Sequence, residues 1–164
     1  MAEVSSQPAL DQLIDQIVKS YHEDDRTQHL DAIFLPNRAR AIELIELLRL
    51  LTFPGFFDRD QLTTDGIRDH VGTLLHEASG LMYEQVRAAL RYDKNRAETG
   101  TGDACSDCDT EAERVTAEVL GCIPEIRRML ATDVQAAFEG DPAAHSTDEA
   151  IFCYPGVDAV FIHR

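Results

Sequence analysis

The stretch ATDVQAAFEGDPAAHSTDEAIFCYPGVDAVFIHR, residues 131–164, predicts three helices in succession. The first is expected to stop at Asp141, because a residue that precedes proline is pushed toward extended backbone geometry. Ser146 and Glu149 match the S-x-x-E capping box, in which two side chains satisfy free backbone N–H groups at a helix start. Pro155 suits the first turn of a third helix, where no backbone N–H is required. This end of the chain is therefore predicted to be helical.

Apolar residues recur at intervals of three and four through the rest of the chain, which is typical of amphipathic helices. The predicted helices cover residues 9–21, 37–51, 65–92, 110–121 and 124–138. The third of these, with about 28 residues, would span about 42 Å. No stretch alternates convincingly with the period of two that indicates a half-buried strand. We expect an all-α fold of about six or seven helices, with no sheet.

Residues 93–109 break the helical pattern with glycine, threonine, aspartate, serine and cysteine. This composition predicts a loop, and its length fits a mobile excursion between two long helices. The long third helix and the leucine-rich second helix offer surfaces for packing against another subunit. We expect a helical oligomerisation domain over residues 1–130, which contains the loop, and a helical segment over residues 131–164.

Two apolar features are expected to be covered in the folded protein. The first predicted helix should dock, because burial of each large apolar side chain contributes up to about 1.5–3 kcal/mol. The segment Phe53-Pro-Gly-Phe-Phe57 ends the second helix and brings three aromatic rings together. We interpret these rings as a plug between helices, since apolar residues near helix ends are usually core. An exposed patch that grips a partner is the alternative.

The charge of the chain argues against some partners. Acidic residues number 30 against 15 basic ones, and the formal net charge is -15. The basic residues form no block, whereas binding of nucleic-acid phosphates requires clustered lysine and arginine. No apolar run approaches the roughly 20 residues that span a bilayer, and the N-terminus lacks the basic and apolar regions of a signal peptide. We expect a cytoplasmic protein that binds neither nucleic acid nor membranes.

Four cysteines, at positions 105, 108, 122 and 153, are expected to be reduced, because no export signal precedes them. Cys105 and Cys108 form a C-x-x-C pair, a pattern typical of half a zinc site or of a redox pair. Neither further ligands at readable spacing nor a βαβ context accompanies the pair. We interpret it as part of an acidic loop, with a zinc site that adds Cys122 and a histidine as the alternative.

The histidines have no evident sequence partners for catalysis or metal binding. His70 and His76 are six residues apart and fall on different sides of a helix, unlike the i, i+4 metal pair of H-E-x-x-H. We interpret both as surface or boundary residues. His163 has no partner acid or nucleophile in reach and is interpreted as a packing histidine. We expect no metal and no bound cofactor.

Asp141 is the candidate binding residue. It lies between Gly140, which can supply a left-handed helix cap, and Pro142. A carboxylate held in this way has a fixed direction, and an ammonium group is its natural partner. The alternative is a turn aspartate that bonds to its own backbone. Three further acids of this stretch are interpreted as surface or capping residues: Asp133, Asp148 and Asp158.

The closing stretch resembles the segment that lies just before the catalytic domain of serine O-acetyltransferases. The resemblance is carried by Asp133-Val-Gln-Ala-Ala137, Asp141-Pro-Ala-Ala144, Tyr154-Pro-Gly156 and His163-Arg164. It is specific over residues 131–164, general over 60–130 and weak before residue 60. It implies an enzyme of cysteine biosynthesis, which transfers an acetyl group from acetyl-CoA to L-serine and yields O-acetyl-L-serine and CoA.

The resemblance also implies where the function resides. In that family the catalytic base is a histidine of a left-handed β-helix built from hexapeptide repeats, and acetyl-CoA lies between neighbouring β-helices. That domain does not occur in these 164 residues. We therefore expect no catalytic residue here, and no activity from this chain alone. Asp141 matches the aspartate of the family's Asp-Pro-Ala motif, which contacts the amino group of the substrate.

The same resemblance implies partners. The helical domain of that family packs trimers together, so we expect a homo-oligomer. Its C-terminal tail docks into cysteine synthase, a partner expected of the complete enzyme. The alternative is a free-standing helical module, without enzymatic activity, that regulates a full-length enzyme by joining its oligomer.

Overall fold

The computed structural model describes residues 7–30, 35–59, 61–97 and 106–163, and no strand occurs over these ranges. The predicted all-α fold is confirmed. The helices described are α1 (Gln7–Tyr21), a 3-10 helix (Asp25–Thr27), α2 (Arg38–Thr52), α3 (Ile67–Ala97), α4 (Ser106–Gly121), α5 (Ile123–Gly140), α6 (Thr147–Cys153) and α7 (Pro155–His163). None of these helices combines the length and the apolar character that crossing a membrane requires. The chain divides into two compact units, Met1–Ile33 and Phe34–Arg164.

The first unit is built around α1. Its large apolar residues keep the predicted helical spacing, but they are 41–49% exposed: Leu10, Leu13, Ile14, Ile17, Val18 and Tyr21. No described residue of the first unit therefore covers this side of the helix. After α1, Asp24 caps the 3-10 helix by accepting a hydrogen bond from the backbone N–H of Arg26 at 3.0 Å.

One of the two caps predicted for α2 and α3 is present in the second unit. The side-chain oxygen of Asn37 accepts hydrogen bonds from the N–H groups of Ala39 and Arg40, at 2.9 and 3.2 Å, at the start of α2. Thr63, one of the two threonines expected to cap the third helix, accepts a hydrogen bond from the N–H of Gly66 at 3.1 Å. The Asn37 bonds explain why α2 begins at Arg38, whereas the Thr63 bond closes the turn before α3 and caps no N–H group of α3 itself.

α3 is the central element of the second unit and packs against both α2 and α4. It has 31 residues, and a helix of that length spans about 46 Å. Leu74 and Ala78 of α3 are buried against Leu51 of α2. The leucine-rich α2 is thus covered on this side by the middle of α3.

The predicted loop over residues 93–109 is too long at both ends, because α3 continues to Ala97 and α4 begins at Ser106. Residues 98–105 lie outside the described ranges. Asp109, in the first turn of α4, accepts hydrogen bonds from Arg87 and Arg91 of α3 at 2.7 and 2.9 Å. Desolvation raises the pKa of Asp109, but the hydrogen bonds and charges of the two arginines outweigh it and hold the pKa below its usual value. These bonds tie the start of α4 to α3.

The last three helices form a second core around Phe53, which follows α2. Phe53 is 8% exposed and packs with Leu130, which is 1% exposed. Its ring meets the ring of Phe161 edge-on, with 6.1 Å between centroids. The interpretation of the phenylalanine segment as a plug is confirmed. Gly55 makes the turn within this segment with a left-handed φ of 84°.

The oxidation state of one cysteine differs from the prediction. Cys108 is disulfide-bonded and 1% exposed, whereas Cys122 and Cys153 are free and exposed. The prediction that all four are reduced is wrong for Cys108, because the absence of an export signal makes a disulfide uncommon without excluding one. Cys105 lies outside the described residues. The zinc alternative needs Cys108 as a thiolate, and a disulfide sulfur does not supply one.

Candidate functional site

The candidate site begins at the C-terminal end of α5. Asp141 is the first residue past the helix and has extended backbone angles, φ -115° and ψ 104°. The prediction that Gly140 is a left-handed cap is wrong, because α5 remains helical through Gly140. The physical reason is that Pro142 already imposes extended geometry on Asp141, so no left-handed residue is needed to end the helix.

Both oxygens of the Asp141 carboxylate accept hydrogen bonds. Oδ1 accepts from the backbone N–H of Ala143 at 2.9 Å, and Oδ2 accepts from the hydroxyl of Tyr154 at 2.7 Å. The backbone carbonyl of Asp141 also accepts from the N–H of Ala144, at 3.0 Å. The turn-aspartate alternative thus describes one oxygen correctly. The second oxygen is held by a residue thirteen positions further along the chain.

α6 brings Tyr154 to this position. Half of the predicted capping box is present at its start, where Ser146 Oγ accepts from the N–H of Glu149 at 3.2 Å. Glu149 Oε2 accepts at 2.8 Å from the N–H of His145, one residue before the cap, rather than from that of Ser146. Tyr154 is the first residue past α6, and its N–H donates to the carbonyl of Ala150 at 3.2 Å. From this position the side chain of Tyr154 reaches Asp141 at the end of α5.

The electrostatics of the site favour a charged carboxylate. The hydroxyl of Tyr154 and, to a smaller extent, the N–H of Ala143 hold the pKa of Asp141 below its usual value. The hydrogen bond to Asp141, with help from desolvation, raises the pKa of Tyr154 to about 12. Over the described ranges, no lysine, arginine or histidine forms an ion pair with Asp141. The site therefore offers a half-exposed negative charge that an external cation can reach.

The other candidates do not join this site. His163 is exposed at the end of α7, so the interpretation as a packing histidine is wrong. His76 is exposed as expected, and His70 is half-buried with Nε2 2.9 Å from Asp58 Oδ1. Within the part of the chain that the structure describes, no group of three or more His, Cys, Asp and Glu residues is placed to hold a metal ion.

One pairing was missed by sequence reasoning. Asp158 was interpreted as a surface or capping acid, yet its Oδ1 lies 2.8 Å from Nη1 of Arg49. A signal was available in the sequence, because Arg49 is a charged residue within the leucine-rich α2 and needs a partner when that helix is covered.

The fold and the site together define an all-helical protein that presents a fixed, ionised carboxylate suited to an ammonium group. Within that class, the sequence is similar to proteins named serine acetyltransferase over part of their length. It is 34% identical over 131 residues to the protein named "Serine acetyltransferase, plasmid" from Synechococcus elongatus. That match covers 79% of this chain and 40% of the relative.

Shorter matches involve two further serine acetyltransferases. The chain is 62% identical over 32 residues to the protein of Mycobacterium tuberculosis, which is 20% of this chain and 14% of the relative. It is 51% identical over 35 residues to the protein of a Synechocystis species, which is 21% of this chain and 14% of the relative. No protein-family model matches the sequence. The chain thus spans about two fifths of the Synechococcus relative, so the activity and partners of the whole protein are matters for proposal.

Proposed function

We propose that this chain is the helical part of a serine O-acetyltransferase of cysteine biosynthesis. The complete enzyme transfers the acetyl group of acetyl-CoA to the hydroxyl of L-serine and releases CoA. The observation that carries the proposal is the 34% identity, along 79% of the chain, to a protein named a serine acetyltransferase. We place the protein in the cytoplasm and assign cysteine synthase as a partner of the complete enzyme.

Asp141 is the proposed ligand of the amino group of serine. Its carboxylate is ionised at neutral pH, because the hydrogen bonds from Tyr154 and Ala143 lower its pKa. A carboxylate has about four lone-pair sites, and two of those on Asp141 are used by the bonds described. The remaining sites suit the N–H groups of an ammonium. Binding the amino group through Asp141 leaves the hydroxyl of serine free for acetylation.

The proton of the serine hydroxyl requires a general base, and the developing oxyanion requires a donor. We assign neither role to these 164 residues. This assignment is supported by the surroundings of the histidines. Most are exposed to solvent, namely His22, His29, His76, His145 and His163, and the half-buried His70 faces Asp58. We propose that the base of the complete enzyme comes from outside this segment.

Oligomerisation is the proposed role of the helices. The apolar side of α1 is 41–49% exposed in the single chain. Burial of one such side chain contributes up to about 1.5–3 kcal/mol, so a second copy of the chain can gain stability by covering this face. The leucine-rich α2 and the long α3 supply further surface for contacts between subunits.

An acetyl-transfer assay tests the proposal. CoA release is measured from acetyl-CoA, with and without L-serine, for the complete gene product and for residues 1–164 alone. We expect serine-dependent release from the complete protein and none from residues 1–164. A complete protein that self-associates but releases no CoA would favour the second candidate, a helical interaction module. That candidate is favoured by the exposed apolar face of α1.

A further inference from the structure

We infer that Tyr154 is a positioning residue for Asp141: its hydroxyl fixes the carboxylate that receives the ammonium group of the substrate. The inference rests on the proposed function of Asp141 and adds a residue to that site. Its basis is the 2.7 Å hydrogen bond from Tyr154 Oη to Asp141 Oδ2, which joins the end of α6 to the end of α5.

The carboxylate of Asp141 is fixed by two bonds of different origin. The N–H of Ala143 belongs to the same turn as Asp141, so this bond alone lets the turn and the carboxylate move together. The bond from Tyr154 comes from another helix and removes that freedom. With one bond on each oxygen, rotation of the carboxylate plane breaks at least one of them.

Tyr154 is itself well fixed. Its N–H donates to the carbonyl of Ala150, and its own carbonyl accepts from the N–H groups of Val157 and Asp158, at 3.0 and 3.3 Å. Ala150 is 0% exposed and Val157 is 5% exposed, and both belong to the core around Phe53. Tyr154 therefore connects this core to a carboxylate that remains accessible to solvent.

The chemistry of the phenol fits positioning rather than proton transfer. Its single proton is donated to Asp141. The pKa of Tyr154 is raised to about 12, so the hydroxyl keeps this proton at neutral pH and stays a donor. A phenol in this state does not act as the base for a serine hydroxyl.

The test compares steady-state kinetics of the complete protein with its Tyr154→Phe and Tyr83→Phe variants. Tyr83 is a matched control, because it is also half-buried but lies on α3, away from Asp141. We expect Tyr154→Phe to raise the KM for L-serine about fivefold, as loss of one ordinary hydrogen bond predicts. The KM for acetyl-CoA should not change, and Tyr83→Phe should change neither KM.

Three other outcomes would contradict the inference. If the wild-type protein is active and Tyr154→Phe leaves the KM for L-serine unchanged, Tyr154 does not position Asp141 and the proposed function stands. If both KM values rise together and the melting temperature falls, the role of Tyr154 is structural only. If the wild-type protein shows no serine-dependent release of CoA, the proposed function fails first and the inference fails with it.

Discussion

Arg49 and Asp158 form an ion pair that joins α2 to α7, with 2.8 Å between Nη1 and Oδ1. The guanidinium of Arg49 also lies over the rings of Phe57 and Phe161, at 5.4 Å from each centroid. The Arg49 side chain is 18% exposed. This cluster fastens the closing stretch of the chain, which carries the candidate site, to a helix that lies about a hundred residues earlier.

Replacement of Asp158 by asparagine should lower the free energy of unfolding by about 1 kcal/mol, because the largely buried Arg49 loses its nearest carboxylate. Chemical denaturation measures the change. Glu77→Gln is the control, since Glu77 is an exposed acid of α3 that forms no ion pair with another residue of the described ranges. Equal stability of the wild-type protein and the Asp158→Asn variant would show that the ion pair contributes nothing.

Phe53→Ala should destabilise the protein by about 3–5 kcal/mol, the usual effect of removing a buried ring. Phe53 is 8% exposed, whereas Phe152 is 57% exposed and meets the rings of Phe56 and Phe57 from outside. Phe152→Ala should therefore cost about 1 kcal/mol. Thermal and chemical unfolding of both variants compare the two positions. A smaller loss for Phe53→Ala than for Phe152→Ala would be incompatible with the core described.

Local signals in the sequence predicted much of the fold. Asn37 and Ser146 cap helices in the structure as expected, because a cap is formed by residues within one turn of each other. The phenylalanines after α2 are core because three adjacent rings are costly to expose. The end of α5 was predicted at the right residue for a partly wrong reason, since Pro142 ends the helix without a left-handed Gly140.

The rest of the site depends on contacts that no local pattern reveals. The bond between Tyr154 and Asp141 requires the end of α6 to lie beside the end of α5. That position depends on the packing of the buried Ala150 and Val157 in the core. The same holds for Asp158, whose partner Arg49 lies far away in sequence. The apolar face of α1 was expected to be buried. Periodicity indicates that a helix has an apolar face, but it does not indicate whether the same chain or a second copy packs against that face.

Stability at alkaline pH should depend on Tyr154. Its pKa is 10.0 ordinarily and about 12 in the folded protein. A group whose pKa is raised on folding contributes stability that is fully present below the unfolded pKa and is lost as the pH rises through the folded pKa. The wild-type protein should thus lose stability relative to Tyr154→Phe between pH 10 and 12. If the free energy of unfolding changes equally with pH in the two proteins across this window, the hydrogen bond from Tyr154 to Asp141 is contradicted.

Stability at acid pH should depend on the other end of the same bond. The pKa of Asp141 is lowered from 3.8, so its contribution is present above that value and is lost as the pH falls through the lower, folded pKa. In Asp141→Asn the free energy of unfolding should therefore fall less steeply than in the wild-type protein as the pH drops below about 4. Acid unfolding monitored by circular dichroism measures this, and Asp148→Asn, at an exposed position of α6, is the control. An unchanged acid slope for Asp141→Asn would count against the lowered pKa.

Self-association should depend on the apolar face of α1. The double variant Ile14→Lys, Ile17→Lys places charges among residues that are 41–49% exposed in the single chain, and should reduce the oligomer mass. Asp11→Lys with Gln16→Lys adds two lysines on the polar side of the same helix and should leave the mass unchanged. Light scattering at tens of micromolar provides the readout. If residues 1–164 without substitutions stay monomeric at 18.3 kDa, the oligomer is ruled out.

The most direct test is the KM for L-serine of the complete protein and its Asp141→Asn variant, measured by CoA release. We predict serine-dependent activity in the wild-type protein. The KM for L-serine should rise about tenfold or more in Asp141→Asn, because the ammonium loses its charged partner. The KM for acetyl-CoA should stay the same. A wild-type protein without serine-dependent release, or an active one whose KM for L-serine is unaffected by Asp141→Asn, would contradict the role of Asp141.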